Sequence, residues 1–135
     1  MFYEVTSKKI IVDLKGNDKE ITEKFMFENL ELFGEAENKM LEFYNNENEV
    51  TAIKQSKLME FVNRRSDEKQ AIYFATLESS FIDEDTGAEK AIKYLVGVFA
   101  MALEDATIIL NEYIKQGMED FVLVGVKKTK IVDLL

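Results

Sequence analysis

Sliding the chain against itself by 70 positions aligns Tyr3 with Tyr73, Thr6 with Thr76, Asp13 with Asp83, Ala36 with Ala106 and Met40 with Leu110. Similarity to itself at one fixed offset marks a repeated supersecondary unit. In the first copy, residues 3–14 read as a strand, "KGNDK" as a turn, 20–30 as a second strand, 32–46 as a helix and 49–58 as a third strand. The same order recurs from position 71. The expected fold is therefore α+β: one domain, residues 1–135, made of two tandem β-β-α-β units at 3–62 and 73–132. An antiparallel-rich sheet and two helices follow, with "NRRSDEKQ" at 63–70 as a charged linker. One such unit is too small to bury a sheet face and a helix stripe well, so the two are expected to share their burial.

Local chemistry agrees with this pattern. The turn "DEDTG" offers Asp and Thr oxygens to nearby amides and Gly87 for a positive φ, as hairpin turns require. Phe33, Ala36, Met40, Phe43 and Tyr44 recur at helical spacing, as do Leu103, Ala106, Leu110, Tyr113 and Ile114, which predicts one buried stripe per helix. Gly117 stands where a C-terminal cap belongs. The apolar run "YLVGVF" at 94–99 predicts a strand covered on both faces. Its counterpart "TEKFMFEN" alternates more clearly and is expected to be more exposed. On the last strand, Val122, Val124 and Val126 are expected to face the core by the twofold period.

Several function classes are disfavoured by what the chain lacks. It has no Cys and no His, which removes disulfides, thiolate nucleophiles, imidazole bases and the zinc sites that need either residue. It also has no Pro, where average usage would give about seven, so long uninterrupted strands are permitted. "MFYEVTSKK" has no signal-like apolar segment, and no later run is long enough to span a membrane; a cytoplasmic protein without membrane contact is expected. No Gly-rich phosphate loop, nucleophile elbow or metal-ligand helix occurs. Asp83, Glu84 and Asp85 cluster, but their spacing does not match a calcium loop and reads as a solvated turn. Neither an enzyme nor a cofactor is expected.

The net charge of −9 argues at first against nucleic acid, yet the charges are segregated. Between 28 and 49 the acids Glu28, Glu31, Glu35, Glu37, Glu42, Glu47 and Glu49 face only Lys39, whereas "SKK" at 7–9, "KQSK" at 54–57 and "KKTK" at 127–130 lie at strand ends. A sheet face mixing lysines and hydroxyls with aromatic rings suits a phosphodiester backbone and its bases. The candidate contact residues are Lys8, Lys54, Ser56, Lys57, Phe74, Phe121, Lys127, Lys128 and Thr129. Against this stands the ordinary use of lysines to keep strand ends soluble and unpaired.

"ITEKFMFENLELFGEAENKM" at 21–40 and "FATLESSFIDEDTGAEKAIKYLVGV" at 74–98 resemble a small domain family of unknown function from Bacteroidetes, their mobile elements and gut phages. In that family a T-E-x-[FY]-[LM] strand leads into an F-x-E-A-E helix, and a D-E-x-x-G-A-E-K hairpin follows. The likeness spans nearly the whole chain. It implies the fold above and, through members suggested to be phage single-stranded DNA-binding proteins, a place in a phage or mobile-element replication module in a bacterial host cell. It names no catalytic residue. Where relatives often carry an aromatic pair before the fifth strand, this chain has Ala71 and Ile72 ahead of Tyr73.

Two functions follow as expectations. The first is sequence-tolerant binding of single-stranded DNA, or RNA, on the lysine-bearing sheet face. The second is an acidic protein-interaction module, such as a phage inhibitor of a host or replication factor, that docks through its acidic helices. A homo-oligomer, most simply a symmetric dimer, is also expected, because Val50, Ala52, Phe121 and Leu123 give the third strands apolar faces.

Overall fold

The computed structural model describes residues 1–29 and 48–135. Along the chain run β1 (Phe2–Val12), β2 (Asp18–Glu28), β3 (Asn48–Gln55), β4 (Glu60–Phe61), β5 (Ala71–Ile82), β6 (Glu89–Ala100), α1 (Leu103–Lys115), β7 (Val122–Lys128) and β8 (Ile131–Leu134). The helix expected at 32–46, with its apolar stripe and its acids, lies outside the described residues. α1 is the one helix among those described.

The chain divides into two compact units, Met1–Lys57 with Lys130–Leu135, and Leu58–Thr129. These bounds differ from the expected 3–62 and 73–132. Two short strands account for the difference: β4 joins the second unit's sheet and β8 joins the first unit's.

The first unit is a sheet of order β3-β1-β2-β8. β1 and β2 form a hairpin in continuous antiparallel register from Phe2↔Glu28 to Val12↔Asp18. Its turn is closed by Asp13, whose Oδ1 accepts from the Lys15 and Asn17 N–H groups (2.9 Å each), while Gly16 takes φ +80°. β3 pairs antiparallel with β1, with an irregularity at Thr6/Ser7. β8 pairs parallel with β2, and the Leu135 N–H donates to the Met26 carbonyl (2.8 Å). Val5, Phe25 and Phe27 form the core, with Tyr3, Val50, Ile53 and Leu135 packed on it. Phe25, Met26 and Phe27 are all fully buried, yet Thr22, Lys24, Glu28 and Asn29 are exposed, so "TEKFMFEN" is the more exposed of the two middle strands, as its alternation predicts. Consecutive strand residues point to opposite faces, so β2 is covered on both sides here despite its alternating flanks.

The second unit is a sheet of order β4-β6-β5-β7. β5 and β6 pair antiparallel from Ala71↔Ala100 to Ile82↔Glu89. The "DEDTG" turn forms as its residues suggest: Asp83 Oδ1 accepts from the Asp85 N–H (2.9 Å) and Gly87 takes φ +68°. Residues 96–100 of β6 are buried without a break, as expected of a strand covered on both faces. α1 lays Ala106 and Leu110 on Tyr73, Ala75, Val96, Val98 and Ala100. Ile109 and Tyr113 flank them, whereas Leu103, expected in the stripe, is exposed. Asp105, in the first turn, reaches back to accept from the Met101 N–H (2.9 Å), which ties the residue before the N-cap to the start of the helix. The helix closes at Gln116, one residue before Gly117.

The expected inward set on β7 is also corrected. Val122 and Val124 are 65% and 56% exposed, while Leu123 and Val126 pack on the α1-covered core. A register shift at Thr76/Leu77 is the reason: a bulge adds one residue to a strand and inverts the alternation beyond it. Leu123 and Val126 can therefore share a face although their spacing is odd. Val50 and Leu123, expected on an interface, belong to the two cores.

Glu60 of β4 accepts a hydrogen bond from the Tyr113 hydroxyl, and burial, with the Glu60 charge second, raises the Tyr94 phenol above its usual pKa near 10. A raised phenol pKa adds stability that is present below about pH 10 and is lost as pH rises through the folded value. The difference in near-ultraviolet titration between the protein and Tyr94→Phe should show this late phenol. Glu60→Gln should bring it down toward the ordinary value; an unchanged Tyr94 midpoint would remove Glu60 from the account.

Candidate nucleic-acid interface

In the first unit, Lys54 of β3 stands in register with Glu4 of β1, and Lys8 lies four residues along the same strand. Residues of like parity on a strand share a face, so Lys8 and Lys54 belong to one side of the sheet, on the order of 13 Å apart along it. Both are exposed. Lys24, opposite Thr6 on β2, shares that side and was not among the candidate residues, because one lysine inside "TEKFMFEN" gives no cluster to notice. Carboxylates accompany these cations: Lys8 Nζ lies 3.1 Å from Glu20 and Lys24 Nζ 3.0 Å from Glu4. Exposed ion pairs of this kind are worth about 0–1 kcal/mol, which a phosphate can displace.

Beyond β3 the chain turns through Ser56, whose N–H donates to the Phe2 carbonyl (2.9 Å). Lys57 follows, exposed.

In the second unit the geometry separates the candidates. Phe74 of β5 is half-buried and lies between Gly97 of β6 and Lys127 of β7 in direct register. Directly opposed strand residues have Cβ atoms about 5 Å apart, so ring and ammonium stem are neighbours. Tyr73 faces the α1-covered core, and Phe74 therefore faces the other side. Phe121 does not join it: its ring meets Tyr94, centroids 6.1 Å apart, and Tyr94 belongs to the helix-covered layer. Lys128 is exposed and in register with Tyr73. Thr129 is tied down, its Oγ1 (2.8 Å) and N–H (3.0 Å) both donating to the Ile72 carbonyl.

Charge on this unit is less compensated. Among the described residues no carboxylate lies within ion-pair distance of Lys127 or Lys128, nor of Lys54 or Lys57 in the first unit. Gly125, between Val124 and Val126, is exposed, and a Cβ built there would meet nothing within 4 Å. Thr76 stands opposite it. Together Phe74, Lys127, Gly125 and Thr76 form a patch with a ring, a cation, a hydroxyl and an open floor.

At the far end of the β5–β6 hairpin, Lys90 Nζ lies 2.6 Å from Asp83. That ammonium, with the Asp85 and Thr86 amides, holds the Asp83 carboxyl below the usual carboxylate range. Asp83 thus serves the turn, and among the described residues no group of three or more His, Cys, Asp or Glu side chains could hold a metal ion. No helix among the described residues is long and apolar enough to cross a membrane.

No curated protein and no solved structure gives a match to this chain. One family model does, and it runs over residues 1–135 without remainder. The strands, the helix and the patch described above are thus features of a single family domain, and the chain belongs to the family described as Domain of unknown function (DUF4494).

Proposed function

We propose that this protein binds single-stranded DNA, or RNA, with little regard to sequence, through a sheet face on which Phe74 and Lys127 act together. The observation that carries the reading is their direct register, with Lys127 exposed and without a carboxylate neighbour among the described residues. A base stacks on the ring while the ammonium meets the adjoining phosphate, and base stacking on aromatic side chains is worth about 1–3 kcal/mol per base whatever the base. Lys128 adds a basic group at the end of the same strand, which Thr129 ties down, and in the first unit Lys8, Lys54 and Lys57, with Ser56 at the strand end, form a basic set of their own. On this reading the protein acts, without a catalytic step, in the replication module of a phage or mobile element inside a bacterial cell; the resemblance to phage and mobile-element proteins of Bacteroidetes supports it.

The same reading takes the chain as a duplicated β-β-α-β unit with a helix in each copy. What supports it is the agreement of two strand orders, β3-β1-β2-β8 and β7-β5-β6-β4, and irregularities at Thr6/Ser7 and Thr76/Leu77, 70 positions apart. A second reading, an acidic interaction module aimed at a host or replication protein, is favoured by the net charge of −9 and by Asp83, Glu84 and Asp85 at one hairpin tip.

A titration of labelled single-stranded DNA across a salt series distinguishes the two. About four phosphate contacts should give a log-log slope near −3. Lys54→Glu with Lys127→Glu should shallow that slope for all sequences alike, and Phe74→Ala should weaken binding about tenfold at every salt concentration. Absence of binding at tens of micromolar protein in low salt would leave the interaction module as the surviving reading.

A further inference from the structure

We propose that β7 is a dimerisation edge, which pairs antiparallel with β7 of a second copy and joins two four-stranded sheets into one of eight strands. The observation behind this is a contrast between the edges of the two sheets. β4 and β8 are edges of only two and four residues, and such brevity is a common protection against unwanted pairing. β3 is eight residues long, but the side chains it exposes are Glu49, Thr51, Ala52, Lys54 and Gln55. β7 alone is both long and apolar at its surface: seven residues, with Val122 and Val124 more than half exposed. No proline interrupts it, and among the described residues it pairs on one side only, with β5. A long edge with exposed β-branched residues is a template for another strand.

Charge identifies the occupant as a second copy. The whole chain carries −9, so most of its surface repels its own kind. The segment 119–128 is the exception, with Glu119 and Asp120 before the strand and Lys127 and Lys128 at its end, two acids against two bases. An antiparallel self-pairing turns that polarity into complementarity. The acids that precede β7 in each copy, Glu119 and Asp120, come beside Lys127 and Lys128 at the strand end of the other. Opposite charges directly across a strand pair add about 0.2–1 kcal/mol each, and the twofold axis supplies every contact twice.

This inference stands apart from the nucleic-acid reading, and its test uses no nucleic acid. Light scattering at about 100 μM, a concentration suited to a small interface, should give twice the mass of one chain. Val124→Lys should give the mass of a single chain with an unchanged circular dichroism spectrum, since the position is exposed. Lys128→Glu should weaken the dimer about tenfold, and adding Asp120→Lys should restore it. Because the chain has no cysteine, Val124→Cys, at the middle of the pairing segment, supplies a clean cross-link wherever the two copies bring their Cα atoms within disulfide reach, about 4.4–6.8 Å. Thr51→Cys on the β3 edge is the control and should remain uncross-linked. A protein of single-chain mass under these conditions overturns the proposal. So does a dimer that Val124→Lys leaves intact, or one that cross-links through Thr51→Cys in preference to Val124→Cys.

Discussion

Removal of Ile131–Leu135 should destabilise the first unit by about 3 kcal/mol and leave the second unit's β5–β6 hairpin protected. The lost interactions are substantial. Ile131 is 7% exposed, Leu135 packs on Val5, Phe25 and Phe27, and its N–H bonds the Met26 carbonyl. Burial of one large aliphatic side chain contributes about 1.5–3 kcal/mol and each hydrogen bond about 1, so the segment holds on the order of 8 kcal/mol once the uncovered edge of β2 is included. Freeing five backbone residues returns about 5 kcal/mol of conformational entropy. The difference falls on one sheet, because β8 pairs with β2 alone. Hydrogen exchange reads this directly: amides of Phe25, Met26 and Phe27 should lose protection while those of Val96 and Val98 keep theirs. Equal loss in both hairpins would mean that the two units unfold as one; no loss at Phe25–Phe27 would remove β8 from the fold's support.

β8 also marks a limit of what the sequence made legible. The long hairpins could be read because segments of eleven or twelve residues with recurring apolar positions flank recognisable turns. "IVDL" and "EF" could not, since strands of four and two residues carry no periodicity to detect. Each becomes a strand only because a formed hairpin offers it an edge, which is a tertiary cause. The bulge on β7 is a second such case. Twofold alternation put Val122 and Val124 in the core, and one inserted residue reversed the assignment. At the candidate site the lysines stood out as clusters, but their partners did not: Glu20 and Glu4 reach Lys8 and Lys24 from neighbouring strands, through a register fixed only when the hairpin closes. Phe74 and Phe121 looked alike as exposed rings, and strand parity together with the contact to Tyr94 separated them.

The register that sets Phe74 beside Gly97 also makes Gly97 the position least able to accept a side chain. It lies in the interior of β6, between Phe74 and Phe61 in direct register. A Cβ there would meet the Phe61 ring at 2.6, 2.8 and 3.0 Å, inside the separation at which carbon atoms attract. The ring has little room to retreat, because it stacks on Phe99 at 5.5 Å and the Arg65 guanidinium lies over the far ring at 5.2 Å. The Val62 N–H bonds the Gly97 carbonyl (2.8 Å), so moving Phe61 away also loosens the two-residue strand that carries it. Overpacking of this kind costs about 1–3 kcal/mol for one added methyl group, and Gly97→Val should lie at or above the upper end. Phe61→Ala should by itself cost about 3 kcal/mol through the cavity it leaves. The two changes oppose one another, since the alanine opens the space the valine needs. In a double-mutant cycle by urea unfolding, Gly97→Val with Phe61→Ala should therefore be more stable than the sum of the single changes by about 1–2 kcal/mol. Additive costs would show that the strain of a side chain at position 97 is carried by the backbone of β6 rather than by the Phe61 ring.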